Sequence, residues 1–136
     1  MRYRQCLRIA LVTIALAGYA FTKGCSVDKK GYEDIALDQF VELMDNKDFI
    51  LINVHIPYQG EIPGTDVLIP FNEIDQHKAE LPINKDTKIV VYCMTGPMGD
   101  QAAKQLVRMG YSQVIHFKDG MVGWKTAGKQ LRFRSQ

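Results

Sequence analysis

Short, nearly continuous apolar runs constrain this chain more than any other feature. They are "FILINV" over residues 49–54, "VLIPF" ended by Pro70, "KIVVY" ending at Tyr92 and "QVIHF" ending at Phe117. A strand with one wet face alternates apolar and polar residues, whereas a continuous run has both faces buried and needs cover on both sides. Helical patterns stand between the runs. Leu37, Phe40, Val41 and Met44 recur at the spacing of an amphipathic helix, with Asp38 placed to cap it. Asn72 can cap a helix through Leu81, with Pro82 as its stop. A third helix begins near Asp100, buries Ala103, Leu106 and Val107, and stops at Gly110; a short fourth covers residues 121–127. Strands alternating with helices in this way predict an α/β domain around a parallel sheet.

In open sheets of this kind, ligands bind outside the carboxyl ends of the strands. Cys93 sits at such an end, opening the stretch "CMTGPMGD", and the loops after Val54 and Phe117 share that edge. If residues 94–99 curl around the sulfur, their N–H groups and the next helix N-terminus converge on one point. Such a nest favours anions and moves a thiol from its usual pKa of about 8.5 toward neutrality, producing the nucleophilic thiolate. The loop contains no Arg, Lys or His. The alternative is that Cys93 is a small buried hydrophobe, since free Cys is among the most buried residue types. These residues alone leave both readings open.

The N-terminus reads as an export signal. Basic "MRYRQCLR" is followed by the apolar "IALVTIALAGYAF", whose helical rise of about 20 Å is short of the roughly 30 Å hydrocarbon core. Ala15-Leu16-Ala17 and Gly18-Tyr19-Ala20 are candidate cleavage sites, and Gly24-Cys25-Ser26 resembles the end of a bacterial lipobox. Cleavage, an uncleaved anchor and lipidation at Cys25 all place the domain in the periplasm or on the outer face of the cytoplasmic membrane. The organisation expected is a targeting segment over 1–25, a linker over 26–34, the domain over 35–128 and a basic tail over 129–136, the last read as a solvated terminus.

The formal net charge of +2 is unevenly placed. Residues 1–24 hold four bases and no acid, leaving 13 of the 17 basic residues against all 15 acidic ones. That removes the footprint expected of a nucleic-acid binder. Three unevenly placed cysteines, Cys6, Cys25 and Cys93, do not form a disulfide scaffold. A Cys25–Cys93 pair stays open. His77 falls on a polar face, His116 inside a strand as a packed core residue, and His55 near a strand end, where it could assist or be satisfied by backbone. No two of the three stand at metal-ligand spacing, so no metal and no cofactor is expected. Asp100 would lend a favourable charge to a helix start or oppose ionisation of Cys93. Trp124 reads as core or pocket lining.

Three segments together resemble the single-domain rhodanese (sulfurtransferase) family over residues 35–128: "ILINVHIPYQGEIPGT", "IVVYCMTGPMGDQAAKQLVRMGY" and "VIHFKDGMVGWKTAG", with Gly120, Trp124 and Gly128 in place. The resemblance implies a rhodanese-like fold, a central parallel sheet of about five strands flanked by helices on both faces. It implies Cys93 as nucleophile, taking the outer sulfur of thiosulfate or a polysulfide or persulfide donor and passing it to a thiol, on a small molecule or a protein, or to cyanide. Met94, Thr95, Gly96, Pro97, Met98 and Gly99 would cradle the anionic sulfur, and His55 would stand near the substrate. The spacing to "DQAAKQL" matches the shorter, sulfur-handling loop rather than that of the related Cys-based phosphatases.

The chain also departs from the family pattern. Met98 and Met94 occupy commonly basic positions, Pro97 removes an amide donor, and Asn53, His55 and Glu61 replace Asp, Arg and His. These changes should weaken a free dianion most, and two Met at the mouth suit a bulkier, less charged donor. Two further readings follow from the same departures. One is a catalytically weak or inactive binding module; the other is a thiol redox protein of the cell envelope.

Overall fold

The structure is a computed structural model that describes residues 30–135. Five parallel strands form one sheet: β1 (Glu33–Ile35), β2 (Ile50–Asn53), β3 (Val67–Leu68), β4 (Ile89–Tyr92) and β5 (Val114–Phe117), in the order β1-β5-β4-β2-β3. Three helices cover it: α1 (Leu37–Asp45), α2 (Pro97–Arg108) and α3 (Gly120–Thr126). The α/β architecture expected from the runs is therefore present, with helices on both faces.

The period-2 alternation of the strands sorts their side chains into two cores. Ile52, Val91, Cys93 and Val114 face Ala102, Ala103 and Leu106 of α2. Leu51, Val90, Tyr92 and Phe117 face Phe40 of α1 and Met121 and Trp124 of α3. Phe40 stacks on Phe117 with ring centroids 4.1 Å apart, and Trp124 meets Phe40 edge-on at 5.9 Å. Burying each such aromatic ring stabilises the fold by about 2 kcal/mol. Trp124 is thus core, and its Nε1–H donates to the Gln130 carbonyl.

Several expectations need correction. Residues 33 and 34 belong to β1, not to a linker. Asp38 lies inside the first turn of α1; the N-cap is Ala36, whose N–H donates to Gln39 Oε1 at 3.1 Å. The helix expected over 72–81 is a chain of tight turns with one 3-10 turn, Lys78–Glu80. Only Ile74 and Leu81 are buried there, so no apolar stripe exists to hold an α-helix on the sheet. The basic tail is largely exposed, as expected of a solvated terminus, but it is tethered to the domain. Glu61 and Arg132 exchange backbone hydrogen bonds at 2.8 Å in both directions, and Arg132 and Arg134 close on the Glu61 carboxylate. Residues 1–29, with Cys6, Cys25 and the targeting signals read there, lie outside the described residues.

Candidate functional site

Strand β4 is central in the sheet, so its carboxyl end opens on the crevice between neighbouring strand ends. Cys93 follows it directly and is 1% exposed. Only Met94, Thr95 and Gly96 separate Cys93 from α2, which starts at Pro97, three residues earlier than the sequence pattern placed it. Proline accounts for the early start. Its fixed φ suits the first helical position, where a backbone N–H has no intrahelical acceptor anyway. The lost donor at Pro97 therefore comes with a preset helix entry. Met98 and Gly99 belong to the first turn rather than to a free loop.

The sulfur is held by this geometry. The Gly96 N–H donates to Cys93 Sγ at 3.0 Å, and the Asp100 N–H closes the first helical turn on the Gly96 carbonyl at 2.9 Å. Gly96 has φ +112°, and a β-carbon there would come within 2.8 Å of the Lys118 carbonyl oxygen. Glycine is required for the amide to turn inward.

The opposite side of the loop is tied down by α3. Met121 N–H donates to the Cys93 carbonyl at 3.0 Å and Val122 N–H to the Met94 carbonyl at 3.1 Å. This approach works only because residue 120 is glycine: a β-carbon there would lie 2.4 Å from the Cys93 carbonyl oxygen. The helix α3 thus takes the Cys93 and Met94 carbonyls, while the N-cap of α2 presents its amide to the sulfur. Asp119, just before Gly120, fixes α3 to α1 by accepting the Leu37 N–H at 2.9 Å.

The other candidate residues divide around this centre. Thr95 and Pro97 are exposed, and Met94 and Met98 are half-buried against opposite cores. Gly99 is buried and faces His116. His55 follows β2, whose pairing with β4 continues through the Val54 N–H to the Tyr92 carbonyl at 2.9 Å. Its backbone N–H donates to Asn53 Oδ1, and Asn53 Nδ2 in turn donates to the Gly60 carbonyl. The ring nitrogens of His55 are buried without a hydrogen-bond partner among the described residues, whose backbone therefore does not satisfy them. His77 is far more solvated and bonds Glu80 at 2.6 Å. His116 is buried at 3% exposure, as a core residue should be, yet its Nδ1 lies 2.7 Å from Asp34 Oδ1.

Charge near the Cys loop is compensated pairwise. Asp100 receives hydrogen bonds from Lys104 at 2.6 Å and from the Tyr32 hydroxyl, and these hold its carboxyl below the usual carboxylate range. Burial works against ionisation of Asp34, but Lys30 and then His116 outweigh it and lower its pKa as well. Sequence reasoning missed Asp34, Asp119 and the role of Gly120. The register of β1 against β5 could have found Asp34, which pairs directly with His116.

Residues 36–127 match the rhodanese-like domain family. A sulfurtransferase of Allochromatium vinosum is 32% identical over 89 residues, 63% of this chain and 80% of the relative. A putative sulfur carrier protein of Bacillus subtilis is 27% identical over 95 residues, 67% of this chain and 50% of that protein. Among solved structures, the human single-domain sulfurtransferase superposes with a TM-score of 0.59 at 21% identity, covering 68% of this chain and 95% of that one. A rhodanese-related protein of Thermoplasma volcanium gives a TM-score of 0.63 at 21% identity, covering 76% and 100% respectively. The chain belongs to the rhodanese-like domain family and has sulfurtransferases among its relatives.

Proposed function

We propose that this chain is a sulfurtransferase that carries sulfane sulfur as a persulfide on Cys93. One observation carries the reading: the Gly96 N–H on Cys93 Sγ at 3.0 Å, at the head of α2. An amide donor and a helix N-terminus both favour negative charge on that sulfur. The thiolate attacks the outer sulfur of the donor, a new S–S bond forms, and the donor's own S–S bond breaks with its electron pair on the leaving group. The persulfide then yields its outer sulfur to an acceptor thiol, on a small molecule or a protein.

The donor class follows from the cradle. Thiosulfate carries two charges and must shed its water on entry; backbone dipoles alone offset that poorly. A polysulfide or organic persulfide loses less, and the half-buried Met94 and Met98 offer it an apolar mouth. Turnover with thiosulfate is therefore slow relative to turnover with persulfide donors. The site faces the exterior of the cytoplasmic membrane, a placement that rests on the signal-like residues 1–25 and predicts membrane or periplasmic recovery on cell fractionation.

Intact mass spectrometry of the full chain after incubation with thiosulfate, polysulfide or an organic persulfide tests the chemistry. The expected result is a reducible one-sulfur adduct that Cys93→Ser removes, fastest with the persulfide. A folded, reduced chain that gains the same adducts with and without Cys93, or none at all, ends this reading.

A further inference from the structure

His116 is a buried titratable group that the sulfur chemistry above does not use. It sits on β5 in register with Asp34 on one side and Val91 on the other, so its ring lies on the sheet face shared with Cys93 and α2. Asp34 accepts at Nδ1, so Nδ1 carries the N–H that faces the carboxylate. The ring's Nε2 is buried and has no hydrogen-bond partner among the described residues. Leaving such an atom unpaired is unfavourable, and an apolar residue here would avoid it.

The unpaired edge of the ring is aimed at the Cys loop. A β-carbon on Gly99 would lie 2.7 Å from His116 Nε2 and 3.6 Å from the Cys93 amide nitrogen. A β-carbon on Gly96, whose N–H holds the sulfur, would lie 4.0 Å from His116 Cε1. Two glycines thus leave room for an imidazole directly behind the sulfur cradle, in a loop that carries no cationic side chain of its own.

We propose that the Asp34–His116 pair is the charge partner of Cys93: an imidazolium held behind the cradle favours the thiolate through its charge, without touching the sulfur. This rests on the persulfide reading and deepens it. With an organic persulfide donor, R–S–SH, Cys93 gives its proton to solvent and the thiolate Sγ bonds the outer sulfur. The donor S–S bond breaks with its electron pair on the leaving thiolate, which takes a proton from solvent. The products are the Cys93 persulfide and R–SH, with no outside oxidant or reductant. His116 acts from behind the loop and is a positioning residue.

The surroundings suit a cation there. Asp34 on β1 faces the ring directly, and Asp100 on α2 also acts on it through its charge. Tyr32 presents its ring edge-on at 6.3 Å and 71°. Lys30 bonds Asp34 and Lys104 bonds Asp100, so these two ammonium groups are matched to carboxylates, and Lys118, which follows β5, is exposed.

Alkylation of Cys93 by iodoacetamide across pH 5 to 10 is the test, run on the full chain carrying Cys6→Ser and Cys25→Ser. It reads thiolate directly and needs no sulfur transfer, so it fails or succeeds independently of the persulfide reading. In this background His116→Gln is expected to move the profile toward higher pH and to slow alkylation at pH 6.5 by about tenfold or more. Asp34→Asn, which keeps the ring but removes its counter-charge, should move it the same way by less. Where His116→Gln does not fold by circular dichroism, Asp34→Asn decides. Profiles that superimpose on the parent for every folded variant overturn the proposal.

Discussion

A carboxylate and a thiol sulfur are taken out of water in this fold, and they are held in opposite ways. The Glu61 carboxylate is 0% exposed and is gripped by side-chain cations: Arg132 and Arg134 each donate from Nε at 2.8 Å. The Cys93 sulfur receives one backbone amide and the end of a helix, with no cationic side chain from its loop. The difference is one of purpose. A full charge on a fixed carboxylate needs full counter-charges and makes a static clamp. A sulfur that gains and loses a partner atom, as proposed for Cys93, is better served by a fixed amide and helix end, with full charge kept behind the loop, than by side chains that close on it. Arg132 and Arg134 serve the tail that closes the fold, whereas the thiol loop is built from backbone and glycine with His116 behind it.

The largest expected effect breaks the backbone half of this comparison. Gly120→Ala places a β-carbon where the Cys93 and Met94 carbonyl oxygens stand at 2.4 and 2.6 Å, at a positive φ of 57°. The contacts are backbone, so no rotamer change relieves them. The cost is about 3 kcal/mol of stability, read by urea unfolding, together with loss of the sulfur adduct. An alanine variant as stable as the parent would mean that α3 can back away from the loop without consequence.

The arginine clamp comes next. Arg132→Ala leaves a buried carboxylate with Arg134 as its remaining cation, for about 2 kcal/mol; the half-exposed arginines keep the figure below that of a fully buried pair. Glu61→Gln in the Arg132→Ala background should recover part of that loss, because the orphaned charge is gone. Neither change should alter the rate of adduct formation per folded molecule. A rate that falls with the clamp would join the two regions that the comparison keeps apart.

The fold was legible in the sequence because its strands are continuous apolar runs, which few architectures accept. The thiol site was legible for the same reason: Cys93 ends one of those runs. Three things were not. The strand over 33–35 is too short and polar for a periodic signal and exists through its pairing with β5. The clamp joins residues about seventy positions apart, so "LRFRSQ" reads as a loose tail until Glu61 is found buried beneath it. The start of α2 was misplaced because proline was counted as a lost donor, when at the first helical turn it is an entry signal. Asp34 and His116 share the first difficulty, since their meeting depends on a register that only the sheet defines.

A smaller effect sharpens the contrast by moving a cation to the other site. Met98 is half-buried in the first turn of α2, and an arginine there can carry its stem along the same apolar surface with the guanidinium outward. Met98→Arg should raise the rate of thiosulfate adduct formation about tenfold and leave that of an organic persulfide nearly unchanged. Raising salt should erase much of the gain, as exposed charges are screened. An equal gain for both donors would show that the substitution opened the mouth rather than charged it.

The smallest effect is the acid limb of stability, which belongs to the thiol side. Asp34 and Asp100 both have pKa values held below 3.8, the first because Lys30 and His116 outweigh the opposing burial, the second chiefly through Lys104 and Tyr32. A carboxyl whose folded pKa is depressed contributes stability that is fully present above its unfolded value and is lost as pH falls through the folded one. Urea unfolding from pH 5 to pH 2 should therefore show a decline that Asp34→Asn with Asp100→Asn flattens by about 1 kcal/mol, modest because both carboxylates are partly open to water. An unchanged slope would mean that these pairs persist equally in the unfolded chain. In that case they shape the charge around His116 without holding the fold, and the thiol site would owe its stability to glycine and helix ends alone.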